Sequence, residues 1–108
     1  MNTLTKEGKE KMARRPNKRH GTALYETIVG LKDVDECIRF FNDLCSITEL
    51  SAIEQRFEVA RLLSEGQVYT DIMERTGASS ATISRVNRVL NYGKDGLQDV
   101  LERMKNKE

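Results

Sequence analysis

Between Gly66 and Val86 the chain reads Gly-Gln-Val-Tyr-Thr-Asp-Ile-Met-Glu-Arg-Thr-Gly-Ala-Ser-Ser-Ala-Thr-Ile-Ser-Arg-Val, two short amphipathic patterns meeting at Gly77. Two helices that cross at about 90–120° through a turn of three or four residues need one residue free of side-chain strain, and Gly77 stands where that freedom is required. Ile72 on the first segment and Ile83 and Val86 on the second are spaced to face one another. Ser79 or Ser80 can cap the second helix by accepting a bond from its free N–H groups. The spacing predicts a helix-turn-helix over about residues 68–92.

That assignment leaves an outward face of Ser80, Ala81, Thr82, Ser84, Arg85 and Arg88, with Asn87 at its edge and Ser79 at its head. Small side chains at the front let a helix approach base edges in a major groove, and basic groups behind them reach guanine or phosphate. No acidic residue falls between Ser79 and Tyr92. Double-stranded DNA is the partner this face suggests. The alternative is a helical module that contacts a protein, since two amphipathic helices joined at a glycine also serve simply to pack.

The net charge of +1 conceals an uneven distribution. Residues 1–20 hold seven Lys or Arg against two Glu, whereas residues 21–108 hold eleven basic against fifteen acidic residues. With few apolar residues and the breaker Pro16-Asn17, residues 1–21 read as a flexible basic arm, followed by a helical domain over 22–108. Arg14, Arg15, Lys18 and Arg19 could lie along phosphates or enter a minor groove; the bland alternative is a solvated tail.

Every strong signal after Gly21 is helical, so the fold class is all-α with about six helices. Ala23, Leu24, Ile28 and Leu31 form a short stripe stopped near Gly30. Asp33 to Glu36 is a capping-box pattern opening a helix with Val34, Cys37, Ile38, Phe41, Leu44 and Cys45 on one face. Ser46 to Glu49 is a second box, before a helix carrying Leu50, Ile53, Phe57, Ala60 and Leu63 and ended by Gly66. Asp95 can cap a last helix bearing Leu97, Val100, Leu101 and Met104. Such wide apolar faces on short helices are more than one small core needs, and a homodimer is expected to cover them.

Cys37 and Cys45, eight residues apart on one helix, lie about 12 Å from each other, beyond disulfide reach. Buried thiols are expected. The only histidine, His20, is in the arm, so neither metal nor cofactor is expected, and no poised acid, base or nucleophile suggests an enzyme. An RNA target is disfavoured, because the deep, narrow RNA major groove does not admit a helix and no aromatic stacking platform is evident. No apolar run nears the roughly 18 residues of a membrane span. The N-terminus lacks a signal-like stretch, and a cytoplasmic location without membrane contact is the expectation.

The run Leu62 to Leu90, above all Gly77-Ala78 and Ala81-Thr82-Ile83-Ser84-Arg85, resembles the helix-turn-helix of the tryptophan repressor family, and most closely its YerC/YecD branch. Residues 22–105 fit that family's six-helix plan. The resemblance implies an intertwined homodimer, two reading heads about one DNA turn apart, a roughly palindromic operator and repression by occupancy. It also implies an effector pocket beside the reading head, with one arginine matched by Arg85 and another falling on Gln55 or Arg56. The family's glycine after the first arginine is Val86 here. A valine would fill space meant for the indole, so a switch by free tryptophan is not expected and no effector is assigned.

Overall fold

A computed structural model describes residues 21–107. Six helices and no strand occur among them: α1 (Ala23–Val29), α2 (Val34–Leu44), α3 (Ile47–Ser64), α4 (Tyr69–Thr76), α5 (Ser80–Tyr92) and α6 (Gly96–Asn106). The chain divides into two compact units, one ending at Phe41 and one beginning at Asn42. No helix among the described residues is long and apolar enough to cross a membrane.

In the first unit, local polar contacts set the helix ends. Thr22 Oγ1 donates to Glu26 Oε2 at 2.6 Å, and α1 stops at Gly30, whose N–H turns back to the carbonyls of Glu26 and Thr27. Asp33 Oδ1 accepts from the Glu36 N–H at 2.8 Å, as the sequence predicts. The return bond goes elsewhere: Glu36 Oε1 accepts from the backbone N–H of Lys32 rather than that of Asp33. Neither α1 nor α2 contains a buried residue. The expected stripe of α2 is therefore present but uncovered, with Val34 75% and Ile38 53% exposed. Cys37 and Cys45 are free thiols and only half-buried, against the expectation of full burial.

The second unit has one core. Val59, Ala60 and Leu62 of α3 meet Ile72 of α4, Ala78 of the turn, Ile83, Val86 and Leu90 of α5, and Leu101 of α6, with Leu63 and Leu97 packed against them. Burying a side chain of this size contributes roughly 1.5–3 kcal/mol, which makes this cluster the main support of the unit.

Ser46 forms the full capping box: its Oγ accepts from the Glu49 N–H at 3.1 Å, and Glu49 Oε1 accepts from the Ser46 N–H at 2.8 Å. The face of α3 departs from the expected one. Ala60 is buried as predicted, but Val59 and Leu62 join it, while Ile53 and Phe57 stay 43% and 45% exposed. The reason is tertiary: α4, α5 and α6 all contact α3, so its inward side is set by three neighbours rather than by one stripe.

Charges tie the polar side of α3. Arg61 bridges Glu58 and Glu65, and its bond to Glu58 holds that carboxyl below the usual range, with a smaller contribution from Arg75. Lys105 Nζ of α6 donates to the Ser64 carbonyl at the end of α3, at 3.0 Å. Asp95 precedes α6 but does not cap it with its side chain; its backbone is left-handed at φ 72°, and its carbonyl accepts from Asp99.

Candidate nucleic-acid interface

The turn between α4 and α5 is built from short-range chemistry. Gly77 has φ 75°, the left-handed conformation expected of a glycine that follows a helix C-terminus, and its N–H reaches the Met73 carbonyl at 2.8 Å. The Thr76 hydroxyl donates to the Ile72 carbonyl at 2.7 Å and accepts from the Ala78 N–H at 3.1 Å. Ala78, part of the motif that carries the resemblance but not expected as a core residue, is 3% exposed and pins the turn to the core. Ser79 rather than Ser80 caps α5, accepting from the Thr82 N–H at 3.1 Å. Its hydroxyl also lies 3.2 Å from Thr82 Oγ1.

The two faces of α5 separate as predicted. Ile83, Val86 and Leu90 are buried, and Ile72 opposes them from α4. Ser80, Ala81, Ser84, Arg85 and Arg88 are exposed, while Thr82 and Asn87 are half-buried. Asn87 Oδ1 accepts from Asn91 Nδ2 at 3.3 Å, so its amide is already engaged along the helix. The exposed N-terminal turns of α5 thus present small side chains, with two guanidiniums one and two turns further on. The first turn carries no acidic residue, so the positive end of the helix dipole is not neutralised there. An exposed face of this composition suits approach to a polyanion. Arg14, Arg15, Lys18 and Arg19 of the arm lie outside the described residues.

Beside this face is a cavity of about 450 Å³ lined by Ile53, Arg56, Phe57, Arg85, Val86, Val89 and Leu97. The volume lies in the range of small-molecule sites, and the lining is apolar apart from the two arginines. A guanidinium pair in an apolar recess can hold a carboxylate while its walls take an aliphatic or aromatic body. The structure chooses between the two candidates on α3: Arg56 lines the cavity, whereas Gln55 points to the turn and donates to the Thr76 carbonyl at 3.2 Å. Val86 is buried yet walls an open space, so it narrows the recess without closing it.

A buried helix-helix contact, a left-handed glycine between the helices and a capped second helix with an open face define a helix-turn-helix protein. Residues 20–105 match the family described as Trp repressor protein, and the chain belongs to that all-α family of DNA-binding transcription regulators. It is 54% identical over 85 residues to the uncharacterized protein YerC of Bacillus subtilis, covering 79% of this chain and 82% of the relative. A TrpR-like protein from Eubacterium eligens superposes with a TM-score of 0.76 at 50% identity, over 85% of this chain and 95% of that one. A candidate Trp repressor from Staphylococcus aureus gives 0.73 at 41% identity, over 79% and 88% of the two chains.

Proposed function

We propose that this regulator is a homodimeric repressor that reads a palindromic operator through α5 and does not respond to free tryptophan. The observation that carries this reading is the exposed, acid-free face of α5, held by the Ser79 cap on a helix whose other face is buried through Ile83, Val86 and Leu90. Ser79, Ser80, Ala81, Thr82 and Ser84 form its close-approach end, while Arg85, Asn87 and Arg88 supply donors to bases or phosphates. Arg14, Arg15, Lys18 and Arg19 add sequence-independent affinity along the backbone. A second copy covers the apolar residues that α1, α2 and the N-terminal half of α3 leave exposed. Such a protein works in the cytoplasm, where its DNA is.

Tryptophan is disfavoured by Val86, whose branched side chain walls the recess where the family has glycine. The effector, where there is one, is expected to reach both Arg56 and Arg85. Calorimetry tests this part: micromolar tryptophan binding, with tighter operator binding in consequence, would show it to be wrong.

Selection of bound sequences from a random duplex pool at about 150 mM salt, where non-specific phosphate binding is weakened, tests the reading as a whole. A palindromic site is expected, lost on Arg88→Ala and on Arg85→Ala while the oligomeric state is kept. Enrichment of no sequence by the full chain, with or without cell extract as a source of effector, would favour a protein-binding module instead.

A further inference from the structure

Two side-chain hydrogen bonds among the described residues join one helix to another, and one of them ends on the reading head. Gln55 is half-buried on α3, and its Nε2 reaches the Thr76 carbonyl, 21 residues further along the chain. Thr76 is the last residue of α4, and carbonyls at a helix end have no partner within the helix. The same residue's hydroxyl already fixes Ala78, so Thr76 is the point from which the turn departs. Gly77 brings no side chain between them: a Cβ added there would lie 4.0 Å from the Gln55 amide. The buried contacts of α4 and α5 with α3 are apolar, made by Ile72, Ile83, Val86 and Leu90, and Arg75 of α4 adds only a charge attraction to Glu58 without a hydrogen bond among the described residues. Apolar packing is non-directional. It holds the two helices down but leaves their rotation about the contact loosely defined.

We infer that Gln55 is a positioning residue for DNA reading, fixing the angle at which α5 leaves α3 by clamping the carbonyl at the head of the turn. Its neighbour Arg56 walls the cavity, so one turn of α3 carries both a wall of the recess and the clamp on the turn. The inference rests on the DNA-reading function proposed above. A protein that reads base edges needs its helix held to a narrow range of angles, whereas contacts to phosphate alone tolerate rotation. Loss of the clamp therefore lowers discrimination more than it lowers affinity for DNA in general.

The test compares the full-length protein with Gln55→Met, which keeps length and charge but cannot donate, and with Gln55→Lys, which restores a donor. Affinities are measured by anisotropy for the selected operator and for a scrambled duplex of equal length. The ratio of the two affinities is expected to fall about three- to tenfold in Gln55→Met, the effect one half-buried hydrogen bond supports, and to recover in Gln55→Lys. Using the ratio cancels the added charge of the lysine. An unchanged ratio in Gln55→Met would overturn the inference, as would equal losses for both duplexes. Amide hydrogen exchange provides a reading that does not depend on an operator. Gly77 and Ala78 should exchange faster in Gln55→Met while α3 and α6 keep their protection. Unaltered exchange at the turn would reject the clamp even if the protein proved to bind no DNA. Faster exchange there without any operator preference in the unmutated protein would instead reject the DNA-reading function and keep the clamp.

Discussion

Two glycines bound the reading helix, and they are needed for different reasons. At Gly77 the demand is conformational: φ is 75°, yet the space a Cβ would occupy holds nothing closer than the Gln55 amide at 4.0 Å. Gly77→Ala should cost roughly 1–2 kcal/mol, the penalty of a left-handed residue with a side chain. At Gly93 the backbone is extended, at φ −81° and ψ −157°, and the demand is for room. A Cβ there would press into the Val89 carbonyl, well inside van der Waals contact, and that carbonyl also accepts the Gly93 N–H at 2.8 Å. Because backbone must move and a helix-end bond is lost with it, Gly93→Ala should cost more, about 3 kcal/mol. Urea denaturation of the two variants checks the order, and a larger loss for Gly77→Ala would show that the turn, not the end of α5, is the tighter site. Ser79→Ala should cost about 1 kcal/mol through the lost cap. If it lowered operator affinity without lowering stability, Ser79 would be acting on DNA directly instead.

Helices differ in how much of their arrangement their own residues announce. The box at Ser46, a cap at Ser79 or Ser80 and the turn at Gly77 were legible because each is closed by atoms within a few residues of chain. The inward side of α3 was not, since Val59 and Leu62 are buried by α4, α5 and α6, none of which a single-helix pattern can place. The choice between Gln55 and Arg56 was open for a related reason: neighbours on a helix point about 100° apart, so a shift of one residue exchanges cavity for turn. The polar side of α3 carries a pH prediction. The bond from Arg61 lowers the Glu58 carboxyl, so the stability it adds is present above the unfolded carboxylate range and is lost as pH falls through the lowered value. Both side chains are about 40% exposed, which limits the effect through solvent screening. Glu58→Gln should therefore cost no more than about 0.5 kcal/mol near neutrality, and the difference should shrink as acid protonates the Glu58 carboxyl and leaves both proteins with a neutral group. Denaturation followed from neutral into acid pH decides; a difference that does not shrink would mean the glutamate acts through packing rather than charge.

For the molecule as a whole, the described chain leaves its first two helices without a buried residue while exposing 41% of Leu24, 85% of Val29, 55% of Leu44 and 87% of Ile47. Helices of 7 and 11 residues are too short to persist on local propensity in water, so an apolar face left bare argues for an outside cover. Ile53 and Phe57, one turn apart on α3 and lining the cavity, are likewise left exposed. A second copy is the cover that needs no further component, and a self-complementary contact would also supply the two-fold symmetry of a palindromic site. Dimerisation makes thermal stability depend on concentration, because the folded state alone gains the partner. The melting temperature should fall on dilution, and sedimentation should give twice the chain mass. Ile38→Glu with Leu44→Glu, both on exposed positions of α2, should yield a monomer whose second unit keeps its core, since none of the buried cluster is touched. That monomer should lose most affinity for a full operator but retain the weak binding of a single half-site. Retention of full operator affinity by a protein shown to be monomeric would mean that one reading head suffices, and the apolar surface would then have to be explained by a different partner.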